Sequence, residues 1–163
     1  HAGGMSQDLR LLLPRRSRWA VIRRSARGKR IAPLLFMKGV WRFQDLVAWQ
    51  LADQLRQQAT TYCRKPQLAR DHKLRAQLLD AASSAPKNIA EGFGRKTHKE
   101  FARFGHIARG SEHEVMDSFI EAHQKGYLTE LEFDKGDHAV RKALKVLNGL
   151  IAYLESTPDW PRE

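Results

Sequence analysis

Residues 88–95, Asn88-Ile89-Ala90-Glu91-Gly92-Phe93-Gly94-Arg95, divide two stretches of helical periodicity. Upstream, Leu74, Leu78, Ala82, Ala85 and Ile89 recur at spacings of three and four; downstream, Phe101, Phe104, Ala108, Ser111 and Val115 do the same. Such spacing puts each set on one face of an α-helix. A chain with two such stripes on either side of two glycines is constrained to reverse and pack one helix on the other. Gly92 and Gly94 are expected to stop the first helix by taking the left-handed conformation that suits a helix end. Thr97 and Glu100 have the spacing of a capping box that starts the next. Asn88, Glu91 and Arg95 fall where the two helices meet, and are expected to satisfy freed backbone groups and pair with one another.

Two further stripes complete the pattern. Ala48, Ala52, Leu55, Ala59 and Tyr62 predict a helix starting at the N-cap Asp45 and ending before a loop marked by Pro66. The second helix is expected over Asp71 to Glu91, kinked at Pro86. The third is expected from Thr97 to about Lys125, with Gly126 as its stop. The fourth begins at Thr129, where Glu132 completes a second capping box and Leu128 and Phe133 take hydrophobic-staple positions; it fades before Pro158. No run of apolar residues alternates with the period of a strand. Loops this short join antiparallel neighbours, so the expected fold is all-α: an up-down-up-down antiparallel four-helix bundle over residues 41–157, with 158–163 as a tail. The fourth helix carries one stripe through Val140, Leu144, Leu147, Ile151 and Leu154 and an adjoining one through Ala143, Val146, Leu150 and Tyr153. A band that wide marks a helix that is central or partly covered by another subunit. The expectation is the latter, a homo-oligomer with Ala143, Val146, Leu150 and Tyr153 at its interface.

Charge is unevenly placed. The net +11 of the 163 residues resides mostly in residues 1–40, where ten Lys/Arg face only Asp8; the remainder carries 19 basic and 17 acidic residues. His1-Ala2-Gly3-Gly4 reads as a tag remnant, and residues 1–40 as a basic extension too polar to order itself, with Met37 as the natural start. Read functionally, the same extension is a nucleic-acid arm with Trp19 available to stack on a base. One cysteine, Cys63, allows no internal disulfide, and no apolar run nears membrane-spanning length. A cytoplasmic protein with no membrane partner is expected.

Residues that carry chemistry do not assemble into a site. Di-iron bundles need Glu-x-x-His on two helices, a pair this chain lacks. His113-Glu114-Val115-Met116-Asp117 falls short of a zinc motif. His106 and His113 share a face and offer the one candidate for a metal-dependent bundle enzyme. Ser83, Ser84 and Ser111 have no evident His/Asp partner. No metal, no cofactor and no enzymatic activity is expected. The basic residues Arg95, Lys96, Lys99 and Arg103 crowd the reversal and the start of the third helix, where free N–H groups and the helix dipole suit a phosphate. They are the candidate nucleic-acid contacts, for RNA or DNA. Glu112, Glu114, Asp117, Glu121, Glu130, Glu132, Asp134 and Asp137 gather in the second half of that helix and the start of the next.

Several motifs resemble a known family. They are Phe43-x-Asp45-Leu46-x-x-Trp49-Gln50, Gln77, Asn88 to Arg95, Glu100-Phe101, Ala108-x-Gly110-Ser111-x-x-Glu114 and Gly126-Tyr127-Leu128. The chain is similar over residues 41 to about 155 to bacterial four-helix-bundle proteins encoded in rRNA intervening sequences and their relatives, one branch of which is the accessory protein of diversity-generating retroelements. That resemblance implies a four-helix bundle, commonly a homopentamer, in the cytosol, with no established enzymatic activity. A reverse transcriptase is the partner it implies for the retroelement branch, whose members are strongly basic; this bundle is not. Asn88, Glu91, Gly92, Gly94, Gly110 and Ser111 read as structural signature, with the small Gly110 and Ser111 letting another helix approach. The expected function is a non-enzymatic, homo-oligomeric scaffold whose basic end contacts nucleic acid. The alternative is a protein-interaction module without that contact.

Overall fold

The computed structural model describes residues 40–159. The basic extension with Trp19 and Met37, and residues 160–163 of the tail, lie outside the described residues. A single 3₁₀ turn, Phe43–Asp45, leads into α1 (Val47–Tyr62); α2 (Pro66–Arg70), α3 (His72–Phe93), α4 (His98–Gln124) and α5 (Glu130–Ser156) follow. The described residues form no strand.

Each long helix starts for a local reason, three of them at a polar cap. Asp71 accepts from the Leu74 N–H at the start of α3, and Thr97 accepts from Glu100 N–H at the start of α4. Thr129 and Glu132 form the full reciprocal box at α5. The first helix differs from expectation. Asp45 belongs to the 3₁₀ turn and pairs with Arg42 at 3.2 Å, and the N-cap of α1 is Leu46, without a side-chain cap. Pro66 opens the short α2, where a proline at the first position gives up no helical hydrogen bond. α3 continues through the buried Pro86 to Phe93. The long α4 ends beside Gly126, whose φ of 72° is the one left-handed glycine of the described residues.

Interhelix contacts fix the pairing. Ser111 Oγ on α4 donates to Ser84 Oγ on α3 at 2.8 Å. The Tyr62 hydroxyl at the end of α1 donates to the Glu132 carbonyl at the start of α5, at 2.8 Å. Glycines set two of the closest approaches. A Cβ on Gly105 would stand 2.8 Å from Ile151 Cγ1, and one on Gly136 2.8 Å from the Phe119 ring.

The core divides into two apolar clusters. One holds Leu55, Leu74, Leu78, Val115, Phe119 and Val140; the other holds Ala52, Ala85, Ile89, Phe101, Leu147 and Leu150. On every long helix the division falls at one level, between Ala52 and Leu55, Ala82 and Ala85, Ala108 and Val115, Val140 and Leu147. At that level α4 presents Ser111 and Glu112, both buried.

Candidate nucleic-acid interface and the polar signature

The reversal is built differently from a pair of left-handed glycines. Gly92 is buried inside the last turn of α3, and Gly94 caps it with φ −76°. Neither glycine needs positive φ. Gly92 is required by packing: a Cβ there would lie 2.9 Å from Phe104 Cβ and closer still to the Phe101 ring. The start of α4 therefore presses on backbone at the end of α3, and glycine is the residue that permits it. Gly94 meets no such demand; its Cβ position is 3.4 Å from the Glu91 carbonyl oxygen.

Two of the three polar signature residues pair as expected. The Arg95 guanidinium donates to Glu91 one turn back and lies 4.6 Å above the centroid of the Phe104 ring. Asn88 does not join them. Its amide donates to Ser84 O and Oγ at 2.9 and 3.0 Å, extending the Ser84–Ser111 link across the α3–α4 contact. Ser111 thus serves close approach within the chain. Gly110 does not: it is exposed, its φ is not positive, and nothing lies within 4 Å of its Cβ position.

Of the candidate phosphate contacts, Lys96, Lys99 and Arg103 are exposed, whereas Arg95 is committed to Glu91 and Phe104. The N-terminus of α4 is occupied by the chain itself. Asp159 Oδ1 accepts from the His98 backbone N–H at 2.6 Å, beside the Thr97 cap. His98 Nδ1 lies 3.2 Å from both the Thr157 carbonyl and its hydroxyl. A carboxylate therefore holds the place the dipole end would offer an anion.

A family description, 23S rRNA-intervening sequence protein, matches residues 44–149, well over half of the chain. The chain belongs to that family. No curated protein matches it. In this intervening-sequence family member the match spans the whole of α1, α3 and α4, including the reversal and Gly110-Ser111, and α5 as far as residue 149.

The interface expected on α5 divides in two. Ala143 and Leu150 are buried by the chain's own helices, at 1% and 2% exposure, so they have no surface left for a second copy. The wide apolar band on α5 is explained for these two residues by a central position between α4 and α1. Val146 and Tyr153 are half-buried. Among the described residues the large apolar side chains that stand exposed are Trp41, Ile107, Ile120 and Leu131. His106 and His113 take separate partners, His106 Nε2 with Glu155 at 2.7 Å and His113 Nδ1 with the Arg109 carbonyl at 2.8 Å. Among the described residues no three His, Cys, Asp or Glu side chains are placed to hold a metal. Cys63 is buried, and burial pushes its thiol pKa up, with Arg75 opposing weakly. No helix of the described residues is long and apolar enough to cross a membrane.

The largest feature that the pattern of residues concealed is Glu112. Its side chain is fully buried, and neither carboxylate oxygen has a hydrogen-bond partner. Burial alone pushes its pKa from 4.5 up to about 8. The signal was present in the spacing: Glu112 stands four after Ala108 and three before Val115, on the inward stripe. The Asp159 cap carried no such signal, because its partner is 61 residues away.

Proposed function

We propose that this chain is a non-enzymatic, cytosolic scaffold, an up-down-up-down four-helix bundle that works by associating with copies of itself. The contacts Ser84–Ser111, Gly105–Ile151, Phe119–Gly136 and Tyr62–Glu132 support that helix order. One observation carries the functional reading. Four of the signature residues, with Arg95, are engaged with the bundle: Arg95 with Glu91 and Phe104, Asn88 and Ser111 with Ser84, Gly92 with Phe101. Residues aimed at a substrate would face an opening; these face each other. Membership of the intervening-sequence family agrees with a helical protein of this kind. The homo-oligomeric ring, a pentamer by resemblance, would have to use Val146 and Tyr153 on α5 rather than the buried Ala143 and Leu150.

Sedimentation of the full chain tests self-association directly, and a particle that stays monomeric at every concentration contradicts it. Glu91→Ala tests the structural role. It removes the partner of Arg95, and exposed pairs and cation–π contacts are each worth up to about 1 kcal/mol. The melting temperature is expected to fall by a few degrees. An unchanged melting curve would mean that Glu91 serves a ligand instead.

A second reading, contact with an RNA or DNA backbone, is favoured by Lys96, Lys99 and Arg103, which stand exposed near one end of the bundle. A reverse transcriptase as protein partner rests on resemblance alone.

A further inference from the structure

The stripe of α5 that the core leaves uncovered has two halves. Lys135, Lys142, Val146 and Tyr153 follow at spacings of seven, four and seven, so they share one face. The two lysines are exposed, and Val146 and Tyr153 are half-buried. Neither lysine takes an ion-pair partner among the described residues. Asp134 and the Asp137–Arg141 pair lie further round the helix.

The outer seam between α3 and α4 has the opposite charge and the same division. Asp80, Glu114, Asp117 and Glu121 border a groove there, with Lys73 as the opposing charge. Lys125, at the rim, is held between Asp71 and Glu121, and His113 is turned to the Arg109 carbonyl. Beyond Glu114 the same face of α4 carries Gly110 and the exposed Ile107. Gly110 is unexplained from within the chain. It sits mid-helix, where glycine is less favourable than alanine, and neither its backbone angle nor any neighbour requires the missing side chain.

The two faces are graded alike along the bundle. Gly136 of α5 lies against Phe119 of α4, Asn148 against Arg109, and Ile151 against Gly105. In antiparallel helices these contacts set Lys135 level with Glu121, Lys142 with Glu114, and Val146 with Gly110. Ser84 against Ser111 likewise sets Asp80 level with Val115, beside Glu114, and Lys73 level with Ala122.

We infer that this face of α5 docks head to tail on the α3–α4 seam of the next copy, the two being related by rotation about an axis parallel to the helices. The inference rests on the self-association proposed above and names the second surface it uses. Such a rotation leaves height along the bundle unchanged. Lys142 therefore meets the neighbour's Glu114 and Asp80, and Val146 closes over its Gly110 beside Ile107, where the missing Cβ lets the helices approach. Lys135 meets Glu121 but also Lys73, so the ionic centre of the contact is Lys142. An inverted neighbour would set the basic half against Ile107 and the apolar half against the carboxylates, so the grading selects the upright one. Two different faces meet, which makes the contact heterologous and lets it repeat around a closed ring. α5 and α3 stand at opposite corners of the bundle, so one chain can use both faces at once.

The experiment is sedimentation of the full chain, freed of nucleic acid, over a range of protein concentrations. Wild type is expected to assemble into one closed species of several copies. Lys142→Glu and Glu114→Lys each raise the concentration needed for assembly by more than about tenfold, since each puts a repulsion into every contact. The two changes on one chain assemble better than either alone, because the reversed charges then face each other. Gly110→Leu removes assembly. All three positions are exposed, and circular dichroism confirms that the variants stay helical. If wild type assembles but Lys142→Glu or Gly110→Leu assembles equally well, this surface is overturned and the scaffold reading stands. A double variant no better than the single ones also overturns the pairing. A wild type that stays monomeric at every concentration overturns both.

Discussion

A carboxyl group with no exposed surface and no hydrogen-bond partner keeps its proton, because the charged form would be stranded away from water. Glu112 is such a group, with a pKa raised from 4.5 to about 8. The sign of its effect on stability follows. Below pH 4.5 the carboxyl is protonated in folded and unfolded chains alike, and the buried neutral acid costs the bundle less than the ion would. Above 4.5 the unfolded chain loses its proton while the folded one retains it, so unfolding gains with each step in pH. The contribution is lost progressively until about pH 8, where the folded form also ionises. At about 1.4 kcal/mol per unit the whole span is on the order of 5 kcal/mol. Glu112→Leu keeps the volume and removes the titration. Urea midpoints between pH 5 and 9 should fall for the wild type relative to this variant, which should be the more stable of the two at pH 8.

Elements of this fold differ in how far local residues announce them. Thr97, Thr129 and Gly126 act on backbone within four residues, and each does what its position in the sequence suggests. Gly92 acts through helix packing instead. Its helix-breaking reputation pointed to a left-handed turn, but the chain uses it as a flat site against Phe101 and Phe104. The distinction is measurable. Gly92→Ala should destabilise by about 1–3 kcal/mol, the range for forcing an extra methyl into a packed contact. Gly94→Ala, with φ −76° and no side chain within contact, should leave the thermal midpoint within about a degree or raise it. If both glycines were left-handed stops, both substitutions would cost alike. α2 was concealed for a related reason: Pro66 breaks a helix from within yet opens one at its first position. The stripes on α5 were legible as apolar, but a stripe cannot say which neighbour covers it. Ala143 and Leu150 proved to be covered from inside.

At the scale of the whole molecule, charge decides what can approach. The bundle is nearly neutral, so any affinity for nucleic acid must come from local clusters such as Lys96, Lys99 and Arg103, or from the basic residues before residue 40. Binding of a short RNA should therefore weaken steeply between low and physiological salt, with a slope set by the number of phosphates neutralised. Fluorescence anisotropy on the full chain and on a chain starting at Met37 would assign that slope to the extension or to the bundle. The contact between Asp159 and the first turn of α4 has a mechanical corollary. The strand leaving α5 is fastened sideways onto a neighbouring helix, so tension applied at the carboxyl end loads that clasp before it reaches any buried side chain. Handles, labels or fused domains joined directly after the clasp would tug on the register between two helices, whereas the same cargo on a longer leash would hang free.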